Sequence, residues 1–179
     1  HLIVEEQQRQ EFLANNPGAE AFLRPLLCAE EYLNNVPRWC LWLVDVPPHR
    51  FRNISGIRDR LEAVRGFRLS SKKKSTREKA KTSALFAEIR QPTTRFIVVP
   101  LHTSENRRYV PFGYFEPDHI IHNSCSAIPN ATLFHFGALS SVMHMAWVRQ
   151  VCGRLESRYR YSNKLVYNNF PWPSKVDTR

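Results

Sequence analysis

The string Lys72-Lys73-Lys74-Ser75-Thr76-Arg77, followed by Lys79 and Lys81, brings point charges, a guanidinium fork and hydroxyls together in a short stretch. These are the donor types that contact phosphate oxygens in nucleic-acid complexes. The string sits inside a wider basic segment. Residues 50–95 hold 14 Lys or Arg against 4 Asp or Glu, so they carry the whole formal net charge of +10, and the rest of the chain balances at 12 against 12. A solvated surface intersperses both signs, whereas an excess confined to one stretch predicts a stripe facing a polyanion. Ser75-Thr76-Arg77-Glu78 has the spacing of a capping box, which predicts a short helix starting there and presenting its N-terminus as a further anion site. Binding through about six to ten phosphates would fall steeply with salt. An anionic membrane fits less well, because the segment lacks a wide apolar face beneath its cations. A lysine-rich loop that only keeps the protein in solution is the alternative reading of the same residues.

Catalytic chemistry is not legible as a complete site. A nucleoside cofactor needs a glycine-rich turn at a strand end, but Gly18, Gly56, Gly66, Gly113, Gly137 and Gly153 are all far apart. Neither GxSxG nor HExxH occurs, and no metal-nuclease pattern can be placed. Asn168-Asn169-Phe170-Pro171-Trp172 resembles the catalytic loop of amino-methyltransferases only in part, because it lacks the consecutive prolines that shape that loop. His119 and His122 alternate with Ile120 and Ile121, so on a strand they face opposite sides and make a poor metal pair. Cys28, Cys40, Cys125 and Cys152 are scattered without a CxxC, which predicts buried reduced thiols in a cytoplasmic protein rather than zinc ligands or a disulfide framework.

The elements that would position these residues follow from periodicity. Residues 2–15 read as a helix stopped by Asn16-Pro17-Gly18, and a second helix lies around Glu30-Glu31-Tyr32-Leu33. Residues 39–46 and 96–99 read as strands closed by prolines, and 109–115 and 119–128 as further strands. Ile57, Leu61 and Val64 mark an amphipathic helix whose other face carries Arg58, Arg60 and Arg65. Leu139, Val142, Met143, Ala146, Trp147 and Val151 mark a longer one ended by Gly153, after which the chain is extended and polar-aromatic. Trp39, Trp42 and Trp147 are assigned to the core, and Trp172 anchors the chain end. The pattern predicts an α+β domain, a mixed or antiparallel sheet with peripheral helices. With 42% hydrophobic residues in 179, the chain suits one domain over 1–179. No apolar run approaches the roughly 18 residues that span a bilayer. His1-Leu2-Ile3-Val4 carries neither an initiator Met nor a signal-peptide pattern, so the chain is expected to be a fragment of something longer.

A co-linear set of strings carries a resemblance over nearly the whole chain. It comprises Leu23-Arg24-Pro25-Leu26-Leu27, Arg38-Trp39-Cys40-Leu41-Trp42-Leu43, Phe86-Ala87-Glu88-Ile89-Arg90-Gln91-Pro92 and Ser104-Glu105-Asn106-Arg107-Arg108-Tyr109. His144-Met145-Ala146-Trp147-Val148-Arg149, Cys152-Gly153-Arg154-Leu155, Tyr159-Arg160-Tyr161-Ser162 and Val166-Tyr167-Asn168-Asn169-Phe170-Pro171-Trp172-Pro173 follow in order. Together they resemble the target-recognition domain of MmeI-like DNA methyltransferases and restriction–modification enzymes.

The resemblance implies a division of labour. A methyltransferase domain of the same parent chain would bind S-adenosylmethionine and methylate adenine N6 in duplex DNA. The domain read here would choose the sequence from the major groove, with no cofactor of its own. Base choice in such domains is implied at Glu156, Arg158 and Arg160, and near Asn123 and Ser124. On one extended strand Glu156, Arg158 and Arg160 would share a face. Arginine reads guanine O6/N7 bidentately and glutamate accepts from cytosine N4, so this ladder could read G·C pairs. An exposed cross-strand ion pair is the competing reading. A complete nuclease, or an RNA- or protein-binding module, are the alternatives for the whole chain. The absence of aromatic ribonucleoprotein strings weighs against single-stranded RNA.

Overall fold

Apolar side chains around residues 2–4 and 40–43 withdraw from water, and this, rather than helical propensity, sets the first sheet. The computed structural model describes residues 1–174, so 175–179 of the expected 1–179 domain lie outside the described residues. In chain order the strands are β1 (Ile3–Glu5), β2 (Leu23–Leu27), β3 (Arg38–Leu41), β4 (Phe96–Pro100), β5 (His102–Thr103), β6 (Gly113–Phe115), β7 (Ile120–Ile121), β8 (Cys125–Pro129), β9 (Gly153–Leu155) and β10 (Arg158–Arg160). The α-helices are α1 (Glu6–Asn15), α2 (Ala29–Asn34), α3 (Ser55–Leu69), α4 (Lys74–Glu78), α5 (Leu133–Leu139) and α6 (Val142–Val151). Contacts group these elements into two compact units, His1–Leu26 with Val36–Arg90, and Leu27–Asn35 with Gln91–Arg179.

In the first unit β3 pairs antiparallel with β1 and β2. The helix expected from residue 2 starts only at Glu6, because Val4 is fully buried opposite Trp39 and is worth more in a sheet than on a helix. Arg38 locks the edge by an ion pair to Glu5 at 2.5 Å. The strand expected over 39–46 ends at Leu41, and the chain then turns through Asp45, whose φ is 58°. Helix α3 buries Ile57 and Val64 as its spacing predicts, with Leu61 packed against the same cluster. Its first turn receives no cap from Ile54. The Asn16 side chain supplies one instead, its Oδ1 accepting from the Gly56 amide at 2.8 Å. A Cβ on Gly56 would lie 2.5 Å from the Asn16 amide nitrogen, so this close approach requires glycine.

In the second unit every residue of β4 is buried, and β4 is the centre of an antiparallel sheet ordered β6-β4-β8. A second antiparallel sheet is ordered β5-β10-β9. The α+β class with antiparallel sheets is thus as expected. The helix expected from Leu139 to Val151 forms as α6 from Val142, while Leu139 closes the separate helix α5. Ser141 lies between the two and caps α6, its hydroxyl accepting from the His144 amide at 3.1 Å. The buried face of α6 is His144, Met145 and Val148, while Val142 and Met143 of the expected stripe are 65% and 54% exposed. Trp147 donates to the Val166 carbonyl at 2.9 Å, and Trp172 packs on Tyr167 and Phe170 as an anchor. All four cysteines are buried, and burial pushes the Cys125 thiol up to about 12. Among the described residues no helix is long and apolar enough to cross a membrane.

His144 is 1% exposed, shares a 3.1 Å hydrogen bond with the Tyr161 hydroxyl, and sits among Phe112, Tyr161 and Phe170. Burial lowers its pKa to about 4. Unfolded, the same imidazole titrates near 6.5, so between these values the unfolded chain binds the extra proton. Stability is therefore complete above about pH 6.5 and declines as pH falls towards 4, by roughly 3 kcal/mol in total. Urea unfolding from pH 7 to 4 should show that decline, and His144→Gln should flatten it. An unchanged pH slope in the variant would assign the effect elsewhere.

Candidate nucleic-acid interface

The basic segment sorts its cations by what each can bond. Arg68, on α3, is only 8% exposed and has no carboxylate partner among the described residues. Its guanidinium donates instead to the carbonyls of Lys79, Thr82 and Leu85 at 2.8, 2.9 and 2.7 Å. Arg60 likewise donates to the carbonyls of His1 and Ile3 and covers the Phe12 ring. Desolvation lowers the pKa of both guanidinia from the ordinary arginine value. These two residues belong to the framework and not to an outward stripe, which corrects the sequence count.

Lys72, Lys73, Lys74, Ser75, Arg77, Lys79 and Lys81 are exposed, and Thr76 is half-buried. The capping box does not form. Helix α4 starts at Lys74, runs only to Glu78, and takes no side-chain cap from Lys73, so Ser75 and Glu78 both fall within it. The cause is upstream. Ser71 Oγ accepts from the Lys73 amide at 3.2 Å, and Arg77 donates to the Ser71 and Lys72 carbonyls at 2.8 Å, fixing the cap two residues before Ser75. Lys79 spends its ammonium on the Ala87 carbonyl at 2.8 Å. The surface left is a short helical turn bearing lysines.

In the second unit, β9 and β10 form a hairpin with Leu155 opposite Arg158 and Gly153 opposite Arg160. Glu156 is not on the strand. It occupies the first position of a two-residue turn with φ 55°, and Ser157 is not left-handed. Period-2 spacing does not reach across such a turn, so only Arg158 and Arg160 share a strand face. Tyr159 between them is buried. Glu156 pairs with Arg158 at 2.7 Å, both exposed, while Arg160 is exposed and makes no side-chain hydrogen bond or ion pair among the described residues. The exposed ion pair is thus one between turn and strand, not the cross-strand pair of the competing reading.

Arg154 braces this hairpin. Its guanidinium lies 4.1 Å over the Tyr159 ring, donates to the Ser157 carbonyl at 2.8 Å, and reaches Glu105 at 3.1 Å. Sequence reasoning missed this role. The signal available was the Gly-Arg-Leu string beside a Glu105 whose proximity only the fold reveals.

Asn123 is exposed in the turn before β8. The Ser124 hydroxyl is already engaged, accepting from the Ala29 amide at 2.9 Å and meeting His122 Nδ1 at 3.0 Å. The backbone nonetheless joins this turn to the hairpin. The Leu101 amide donates to the Ser124 carbonyl at 3.1 Å, and the Tyr161 amide donates to the Leu101 carbonyl at 2.9 Å. Backbone bonds through Leu101 thus link the Asn123–Ser124 turn to the strand that carries Arg160.

The model of the MmeI target recognition domain matches residues 1–174. The chain belongs to that family. Its likeness to the target recognition domain extends to a DNA methyltransferase A of Bacillus subtilis (strain 168), 36% identical over 163 residues, which covers 91% of this chain and 18% of that protein. It also extends to a solved structure of the type IIL restriction–modification enzyme MmeI in complex with DNA, with 40% identity, a TM-score of 0.92 and 98% of this chain covered. The chain spans about a quarter of that enzyme's length.

A target recognition domain built this way depends on Arg68 for the shape of its lysine surface. Arg68→Met keeps the stem and removes three charge-assisted hydrogen bonds to part-buried carbonyls, at a cost of roughly 2 kcal/mol. Urea unfolding should report that loss, and limited proteolysis should cut between residues 79 and 85. A methionine variant as stable and as protease-resistant as the parent would refute the assignment.

Proposed function

We propose that this domain recognises a specific sequence in duplex DNA on behalf of a larger, S-adenosylmethionine-dependent adenine-N6 DNA methyltransferase. The observation that carries the reading is the exposed β9–β10 hairpin, with Arg160 unpaired and Arg158 oriented by Glu156. An arginine held on a braced strand can offer two parallel N–H groups to guanine, and the Glu156 carboxylate can accept from cytosine. The likeness to an MmeI structure that contains DNA supports duplex-DNA recognition by the domain.

Two tasks then separate. The Lys72–Lys74 turn supplies charge to phosphates without regard to sequence, and the hairpin with Asn123 supplies discrimination. S-adenosylmethionine belongs, in this proposal, to the methyltransferase domain of the parent, working in the cytoplasm.

Selection from a random duplex library should enrich one sequence. Glu156→Lys with Arg158→Asp should change the preferred base at one position, with discrimination of about ten- to a hundredfold. No enrichment, or an unchanged base, would sink the reading. Separately, Lys72, Lys73 and Lys74 changed to Ala should weaken enriched and scrambled duplexes alike. The salt slope should flatten by about one per lost phosphate contact. An altered base preference with undiminished general affinity would contradict the phosphate role.

A further inference from the structure

Gly153 has no internal reason to be glycine. Its φ is not left-handed, and a Cβ there would meet nothing nearer than the Arg160 carbonyl oxygen at 3.9 Å, an ordinary contact. Glycine in a strand weakens it, and one function that offsets this is close approach by a ligand or another backbone. Gly153 pairs with Arg160, and Arg160 pairs on its other side with His102. Directly paired residues of neighbouring strands stand on the same face. The row Gly153, Arg160, His102 therefore crosses the sheet with a gap at one end.

That gap opens into a cleft of about 490 Å³. Arg160 and His102 line it, together with Ser126 and, from the π-helical turn Asn163–Tyr167, Asn163 and Lys164. No lining residue is acidic, and Arg160 and Lys164 are both exposed without a side-chain partner among the described residues. With Leu101, Tyr161 and Leu165 also in its wall, such a cleft suits an anion with a flat body that can both pack and hydrogen-bond.

We propose that this cleft seats one strand of duplex DNA, with Gly153 giving clearance, Arg160 reaching a base edge and Lys164 neutralising a phosphate of the same strand. The inference rests on the recognition function above and deepens it by naming two residues with no role so far. Gly153 is a positioning residue here: it acts through the room it leaves beside Arg160.

The test uses Gly153→Ala, Gly153→Leu and Lys164→Ala in the 179-residue chain. Each is titrated against the duplex enriched by the parent protein and a scrambled duplex, with melting temperatures alongside. Gly153→Leu should lose about tenfold or more on the enriched duplex and little on the scrambled one, with Ala intermediate and melting unchanged. Lys164→Ala should weaken both duplexes together and lower the salt slope by about one. If Gly153→Leu binds the enriched duplex as the parent does, or loses only melting temperature, the cleft is not the seat, while the recognition function stands. If the parent enriches no sequence, the recognition function falls and takes this inference with it.

Discussion

Three hydrogen bonds from one guanidinium allow a lysine-rich segment to hold a shape. A loop crowded with like charges repels itself, and residues 79–85 stay in place because Arg68 binds three of their carbonyls from inside. Arginine suits this position because its planar fork presents several donors at fixed angles and keeps its charge when partly desolvated. Lysine, a compact and strongly hydrated charge, remains outside. Within the segment Arg60, Arg68 and Arg77 turn to the chain's own carbonyls, Arg58, Arg65, Arg90 and Arg95 meet carboxylates, and most ammonium groups turn to solvent. A positive surface results from an interior arginine that contributes nothing to it directly.

The second unit repeats the device at its hairpin. Arg154 lies on Tyr159, binds the turn carbonyl of Ser157 and meets Glu105, so the strand bearing Arg158 and Arg160 is fixed from the side opposite to the one it displays. Tyr159 and Tyr161, both buried, anchor the same strand on either side of Arg160. A long cationic side chain loses less freedom on meeting a partner when its base is already immobile. The rigidity of the hairpin and the exposure of its arginines are two aspects of one arrangement.

Elements with strong periodicity were legible from the residues. The spacing of Ile57, Leu61 and Val64 located α3, and the apolar run from Phe96 located β4. What escaped were decisions made at long range. Val4 is in a strand because Trp39 waits opposite it, and Asn16 caps a helix that begins far along the chain. The α5–α6 break turned on one serine whose capping role the apolar stripe concealed. At the candidate site, alternation was carried through a turn it could not cross, which misplaced Glu156. The hydrogen bond from the Ala29 amide to the Ser124 hydroxyl joins residues too distant in sequence for spacing to reveal. Charge counting located the basic stretch and could not tell Arg68 from Lys72, because inward and outward cations count alike.

The left-handed backbone at Glu156 limits how this surface can change. Side chains branched at Cβ clash there, and even unbranched ones bear a cost of order 1 kcal/mol relative to glycine, with asparagine and aspartate the easiest to accept. Arg158 and Arg160 lie on ordinary strand backbone, where almost any side chain fits. Two neighbouring positions of one hairpin thus draw on vocabularies of unequal size. Valine, isoleucine and threonine are open to the strand and closed to the turn. New preferences are reached more cheaply through the strand positions, with the turn following among a few permitted letters.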